Sequence, residues 1–346
     1  ACRWLALDIG GANLKAADGA GFAVSRPFAL WRRSEELPAA LAELLAECPS
    51  ADRLAITMTG ELADWFATKA EGVAAILDSV EQAASGLAIH VYLTDGSWAS
   101  SADAKAQPLR AAASNWHALA RFAGRFLPGG TGLVIDVGST TCDVIPVDNA
   151  RVAAAGRTDP DRLIAGEMVY TGVQRSPLCA VADRVWWPSR ETACPLAEEL
   201  FATTWDAYLL LGDLPEEPAS MHTADGRPAT RDYAHDRIAR SICADRTMVS
   251  LEDAVAMAQA VADAQCRRVA DAVTRVVASM ATPPAGVVVS GSGEFLARRV
   301  LQETGIGAPV VSLATELGPE RSRAATAHAL AVLAATTQGG DACPIG

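Results

Sequence analysis

Residues 5–18, LALDIGGANLKAAD, and residues 133–147, LVIDVGSTTCDVIPV, are one device written twice. Each begins with a short apolar run, the pattern of a buried strand, and breaks at an Asp-x-Gly turn before a return segment. Repetition of such a unit points to an internal duplication. Working outward, the apolar run 22–31 is expected as a hairpin partner of the first strand. Residues 37–46 have helical spacing after Ser34, a candidate N-cap with Glu35 and Glu36 in the first turn. Residues 54–58 and 89–93 read as buried strands on either side of a helical stretch containing Val73, Ile76, Leu77 and Val80. Residues 115–126 read as a helix, with Asn115 a candidate N-cap, and Pro128-Gly129-Gly130 then breaks the chain. The expected domains are therefore 1–128 and 129–346. Residues 158–231 read as loops and short helices, with Trp186-Trp187 as core or interface. Residues 232–244 and 251–280 read as helices, 287–289 and 310–311 as strands, and 319–335 as a last helix returning to the first domain.

A chain of 346 residues, half of them apolar, is long enough for two cores. With 29 basic against 41 acidic residues the net charge is -12, which opposes binding to nucleic-acid phosphates. There is no apolar run of membrane-spanning length and no signal-like segment at Ala1-Cys2-Arg3-Trp4, so a cytoplasmic protein without a membrane partner is expected. The eight cysteines (Cys2, Cys48, Cys142, Cys179, Cys194, Cys243, Cys266 and Cys343) stand singly, and the expectation is mostly buried thiols. The five histidines show no metal spacing.

Chemistry concentrates at three glycine turns that follow apolar strands: Gly10-Gly11, Gly138-Ser139 and Gly291-Ser292-Gly293. Glycine lets the main chain approach an anion and aims several amides one way; a single such turn is equally a structural device, but three in sequence suggest a phosphate cradle. Asn13, Thr140 and Thr141 belong to the same turns. Lys15 would neutralise phosphate oxygens as a point charge. Asp8 and Asp136, at the carboxyl ends of their strands, could hold Mg2+ across a cleft, although Asp8 could instead cap a turn. Asp143 could hold the second hairpin or act as a base. Thr59-Gly60-Glu61 ends a strand at the same edge, making Glu61 either a candidate base or a helix cap. Thr59, Lys69, Arg175 and Glu294 are candidate substrate contacts, against a solvated cation for Lys69 and an ion pair for Arg175.

DIGGANLK at Asp8, MTGELADWF at Met58 with TKAEGV after it, DVGSTTCDVIPV at Asp136, TDPDRLIAGEMVYTGVQRSP at Thr158, ICAD at Ile242 and SGSGEFLARR at Ser290 together carry a resemblance across nearly the whole chain. The chain resembles the hydantoinase A/oxoprolinase-related family of tetrahydromethanopterin-linked one-carbon pathway proteins, within the sugar kinase, heat-shock chaperone and actin superfamily. The resemblance implies an α/β, two-domain actin-like or sugar-kinase-like (ribonuclease H-like) fold with a central interdomain cleft. It also implies an alkyl transfer in methanofuran or methylofuran biosynthesis. There an aminomethylfuran-methyl diphosphate is joined to the phenol oxygen of a glutamyl-tyramine or tyrosine-like acceptor, and pyrophosphate leaves. Mg2+ is the expected cofactor, with no requirement for ATP, and a homodimer is a further expectation. Ala12-Asn13 stands where many sugar kinases place a hydroxyl residue, and Gly291-Ser292-Gly293-Glu294 is short for an adenosine site. The alternatives are an ATP-dependent small-molecule kinase and a non-catalytic nucleotide-sensing actin-like protein.

Overall fold

A computed structural model describes residues 2–84 and 86–337. Cys343 and the end of the expected second domain lie outside the described residues. Two sheets organise the chain. The first contains β1 (Trp4–Ile9), β2 (Asn13–Ala17), β3 (Ala23–Pro27), β4 (Arg53–Met58), β5 (Ala88–Tyr92) and β6 (Trp98–Ser100), in the order β3-β2-β1-β4-β5-β6. The second is built from β7 (Thr131–Val137), β8 (Cys142–Asp148), β9 (Arg151–Val152), β10 (Met168–Val169), β13 (Val287–Ser290) and β14 (Val310–Ser312), in the order β10-β8-β7-β13-β14 with β9 on β8. A separate pair, β11 (Arg184–Trp187) and β12 (Thr192–Pro195), lies outside both. Each main sheet places an antiparallel hairpin beside parallel strands reached by crossovers, β1 with β4 and β7 with β13. That repeated order is the two-domain, ribonuclease H-like arrangement of actin and sugar kinases.

Strand periodicity decides what faces the middle of the molecule. Leu5, Leu7 and Ile9 pack outward on the helices Leu37–Glu47 and Lys69–Ala83. Trp4 and Ala6 pack on the opposite face against Leu330, Ala331 and Leu333. By the same alternation Asp8 belongs to that inner face. In the second lobe Leu133, Ile135 and Val137 join the core around the helix Leu251–Ser279, while Val134 turns inward to Trp116, Leu119 and Ala329. Asp136 therefore also faces inward. Between the sheets lie the helices Asn115–Ala123 and Ala325–Thr337. The latter, ATAHALAVLAATT, is mostly apolar and is buried over nearly all of its first ten residues, and its alanines let both sheets approach closely.

Several local expectations are corrected. Residues 22–31 are not one strand: β2 is the direct partner of β1, and the run ends at Pro27, after which the chain turns into the short helix Leu30–Arg33. Ser34 begins a 3-10 turn and does not cap the helix Leu37–Glu47, whose N-cap position is Glu36 with Pro38 in the first turn. Ser114, not Asn115, occupies the next cap position, and the helix tightens to a 3-10 turn at Gly124. The expected helix over 319–335 is two, Pro319–Arg323 and Ala325–Thr337, broken at Ala324. In the middle segment Trp186 and Trp187 alternate on β11, so Trp187 is buried and Trp186 half exposed. Of the seven described cysteines, all free, only Cys142 and Cys266 are buried, so mostly buried thiols is not what the fold gives. Among the described residues no helix is long and apolar enough to cross a membrane.

Candidate functional site

The two hairpins reproduce one register with different charges. Asp8 lies opposite Lys15 on β2, and Lys15 Nζ is 3.1 Å from Asp8 Oδ2. The Thr326 hydroxyl, from the helix between the sheets, donates to the same oxygen. Asp8 Oδ1 is buried without a hydrogen-bond partner. In the second hairpin Asp136 lies opposite Asp143, so the position that holds Lys15 in the first repeat carries a second carboxylate. Side chains opposite one another in an antiparallel pair have Cβ atoms about 4.5–5.5 Å apart, close enough for like charges to repel. Burial and the Asp143 charge push Asp136 up to about 6, with the Ser290 hydroxyl and the Lys15 cation pulling the other way. Arg175, whose amide donates to Ser139 O, stacks 4.8 Å from the ring of Trp31, next to Leu30, whose amide donates to Gly11 O, so the two turns come together across the lobes.

Asp143 is also raised by burial but is held by Arg162, whose Nη2 lies 2.5 Å from Asp143 Oδ1. The Arg162 guanidinium is 1% exposed and stacks 4.0 Å from the centroid of Trp116. Asp143 is thus fixed from behind by a buried cation, a partner that sequence spacing did not expose.

The glycine turns offer amides, though not from every glycine expected. Gly10 N–H closes its own turn on Asn13 O, Gly138 N–H does the same on Thr141 O, and Gly293 N–H donates to Val137 O. Those three amides are committed. The amides of Gly11 and Ala12, of Ser139 and Thr140, and of Gly291 and Ser292 donate to nothing among the described residues. The turn carbonyls are tied down from behind in both repeats: Leu30 and Phe28 N–H donate to Gly11 and Ala12 O, and Val173 and Arg175 N–H to Gly138 and Ser139 O. With the carbonyls occupied, the amides present positive edges to an anion. Gly172 allows this packing, since a Cβ there would stand 2.3 Å from Thr140 N. Gly291, at φ +89°, would put a Cβ 2.2 Å from Val137 O, so the third turn must be glycine to lie on β7.

Behind the second hairpin the 171–176 loop is bound by buried polar groups. Gln265 Nε2 donates to Thr171 Oγ1 and Gly172 O, each at 2.8 Å, and Thr204 Oγ1 donates to Gly172 O at 2.7 Å. A satisfied buried network of this kind makes the hairpin rigid.

Glu61 follows Thr59 and Gly60, whose amides both donate to Ile9 O beside the first turn. Its backbone is covered by Gly72, where a Cβ would lie 2.2 Å from Glu61 O. The carboxyl is 1% exposed and burial pushes it up to about 7, with Asp159 adding to the rise and Lys69 opposing it. Lys69 Nζ stands 3.8 Å from Glu61 Oε1 and 2.5 Å from Asp159 Oδ2, while Glu61 Oε2 has no hydrogen-bond partner.

Two expected contacts have other roles in this geometry. Both oxygens of Glu294 are occupied, Oε2 by the Ser312 hydroxyl at 2.6 Å and Oε1 by Ala314 N–H at 3.0 Å, so the residue braces the first turn of the helix Leu313–Leu317, whose N-cap is Ser312. Arg175 lies 4.8 Å from the Trp31 ring centroid, a cation-π contact bridging the lobes. Thr59 and Ser292 are exposed near their turns. Sequence reading missed Thr326, Arg162, Asp159 and Trp31; the signals available were a hydroxyl in an alanine-rich helix and the charges of the 158–177 motif.

Among the described residues no group of three or more metal-ligating side chains is assembled. A Mg2+ ion fits the donors nonetheless, since it binds through one or two carboxylates and completes its shell with water and phosphate oxygens. Asp136 and Asp143, opposite each other on the hairpin, and Asp8, with its free Oδ1, are such donors, although Arg162 already holds Asp143 Oδ1 as Lys15 holds Asp8 Oδ2.

The chain is 32% identical over 333 residues, 95% of this chain and 96% of the relative, to a (4-{4-[2-(gamma-L-glutamylamino)ethyl]phenoxymethyl}furan-2-yl)methanamine synthase of Methanocaldococcus jannaschii. A synthase of the same name from Methanococcus vannielii matches at 32% over 126 residues, 36% of this chain and 55% of the relative. Among solved structures, component A of the Acidaminococcus fermentans (R)-2-hydroxyglutaryl-CoA dehydratase superposes with a TM-score of 0.47 at 13% identity, covering 99% of this chain and 100% of the other. The family model for hydantoinase/oxoprolinase matches residues 52–335, and with that span and the archaeal relative the chain belongs to the hydantoinase/oxoprolinase family.

Proposed function

We propose that this chain is a transferase of methanofuran-type cofactor biosynthesis, joining an aminomethylfuran-methyl diphosphate to the phenol oxygen of a tyramine- or tyrosine-derived acceptor. The observation that carries the reading is the cradle: three turns with unengaged amides, and Lys15 paired with Asp8 beside the first of them. Such a cradle suits a diphosphate, and the synthase name of the archaeal relative supplies the furan and the phenoxymethyl ether.

In this mechanism the furylmethyl carbon loses its bond to the diphosphate oxygen and gains one to the phenol oxygen. The bonding electrons leave with pyrophosphate, and the phenol proton passes to a base. The amides of Gly11, Ala12, Ser139, Thr140, Gly291 and Ser292, with Lys15, stabilise charge that grows on the leaving oxygens, where preorganised donors are most effective. Mg2+, held by Asp136 and Asp143, supplies further neutralisation of that charge when bound. Glu61, with a carboxyl near 7 and a free Oε2, is matched to accepting a phenol proton at neutral pH. Closure of the cleft keeps water from competing for the activated furylmethyl group.

The test is incubation of purified protein with the furan diphosphate, gamma-glutamyltyramine and Mg2+, following ether and pyrophosphate together. Equimolar ether and pyrophosphate are expected. Pyrophosphate without ether, or phosphorylated acceptor with ATP, would replace the reading.

A further inference from the structure

We infer that Lys69 is a switch between two carboxylates on opposite lobes: Asp159 holds it in the closed cleft, and opening releases it to Glu61, so that closure arms Glu61 as a proton acceptor. This rests on the reading of Glu61 as the base. The geometry has three parts. Lys69 opens the helix Lys69–Ala83 of the first lobe, and Asp159 opens the helix Asp159–Ala165 of the second, 90 residues away. Only the 2.5 Å contact to Asp159 is a hydrogen-bonded ion pair; Glu61 Oε1, at 3.8 Å, is outside hydrogen-bonding distance. Glu61 itself cannot follow the cation, because Gly72 clamps its backbone and its side chain is buried.

An ammonium on a flexible stem has one full positive charge to share. With the lobes apart, Asp159 leaves with the second lobe, and the nearest remaining anion for Lys69 is Glu61. A carboxylate paired directly with a cation is a poor proton acceptor, so the open protein would hold its base quenched. Closure returns Lys69 to Asp159, and the Asp159 charge adds its own repulsion to Glu61. The groups facing Glu61 are Lys69, Asp159 and the backbone amides of Glu61 and Ala113. Arming the base only on closure limits proton abstraction and wasteful diphosphate loss to the assembled complex. Asp159 and Lys69 are in this account positioning residues.

The experiment titrates the Glu61 carboxyl by NMR on protein labelled with carboxyl-13C glutamate, assigned with Glu61→Gln, in the intact chain. Asp159→Asn is expected to lower the Glu61 midpoint by about one pH unit, because the freed cation moves onto it. Lys69→Met is expected to raise it, and Lys69→Arg to keep it near wild type. Both altered side chains are partly exposed, 18% and 19%, so the fold should tolerate them. An unmoved midpoint in Asp159→Asn, or a shift of the same sign in Asp159→Asn and Lys69→Met, overturns the inference. The acid limb of pyrophosphate release separates the two claims. Asp159→Asn in the Lys69→Met background separates the relocated cation from the loss of the Asp159 charge itself: a drop in the Glu61 midpoint that vanishes there supports the switch, one that persists overturns it, and a vanishing drop with an unmoved acid limb supports the switch and removes Glu61 from the role of base.

Discussion

Replacing Glu61 by glutamine tests the most perturbed acid of the cleft and can be sized from its surroundings. The carboxyl is 1% exposed, one oxygen lacks a partner, and its midpoint is raised from 4.5 to about 7. A raised folded-state value means that the wild type is favoured while Glu61 is protonated and loses that advantage as pH rises through 7. The interval, at roughly 1.36 kcal/mol per pH unit, is worth about 3 kcal/mol. Glutamine keeps the shape and carries no charge, and Lys69 retains Asp159 as its partner. Relative to wild type, Glu61→Gln should therefore be near neutral below pH 4.5 and more stable by up to about 3 kcal/mol at pH 8. Urea unfolding from pH 4.5 to 8.5, read as the difference between the two proteins, isolates Glu61 because the other raised acids, Asp136 among them, titrate in both. The same variant should lose roughly 10²- to 10⁴-fold in turnover if the carboxylate takes the phenol proton. A stability difference that stays constant with pH, or a variant less stable than wild type at pH 8, would show that the charged carboxylate has a stabilising partner and refute the reasoning.

Lys15→Ala leaves Asp8 buried with only Thr326 beside it and is expected to lower stability by roughly 1–3 kcal/mol while abolishing pyrophosphate binding; urea unfolding and calorimetry separate the two effects. Arg162→Met removes the buried partner of Asp143 next to Asp136. Its expected cost is about 3–5 kcal/mol at pH 7.5, shrinking as pH falls through the raised range of both acids, because protonation removes the uncompensated charge. Gly291→Ala meets the Val137 carbonyl at a positive φ, and loss of the folded protein or of several degrees in Tm is expected in a melting scan.

The repeated hairpin was legible because a buried strand followed by Asp-x-Gly is a local signal, and period-two alternation then fixes which face Asp8 and Asp136 share. The partners of those aspartates were not legible. Thr326 reaches Asp8 from 318 residues away, and Arg162 reaches Asp143 through a loop whose path depends on Gly156 and Glu167. Which glycine amides remain free also depends on turn closure, which commits Gly10, Gly138 and Gly293 and leaves their neighbours. Glu294 looked like a site residue because it follows the third turn, yet Ser312 and Ala314 arrive from a later strand and helix to occupy it. The β11–β12 hairpin was hidden by Pro188 and Pro195, which read as breaks and stand instead just after one strand and at the end of the other.

The central claim is that the cleft is built to hold a departing diphosphate. Calorimetric titration of the purified protein with pyrophosphate and, separately, with ATP, each with Mg2+, tests it most directly. The account predicts saturable pyrophosphate binding that is lost in Lys15→Ala and no heat from ATP; ATP binding with no pyrophosphate signal would contradict it.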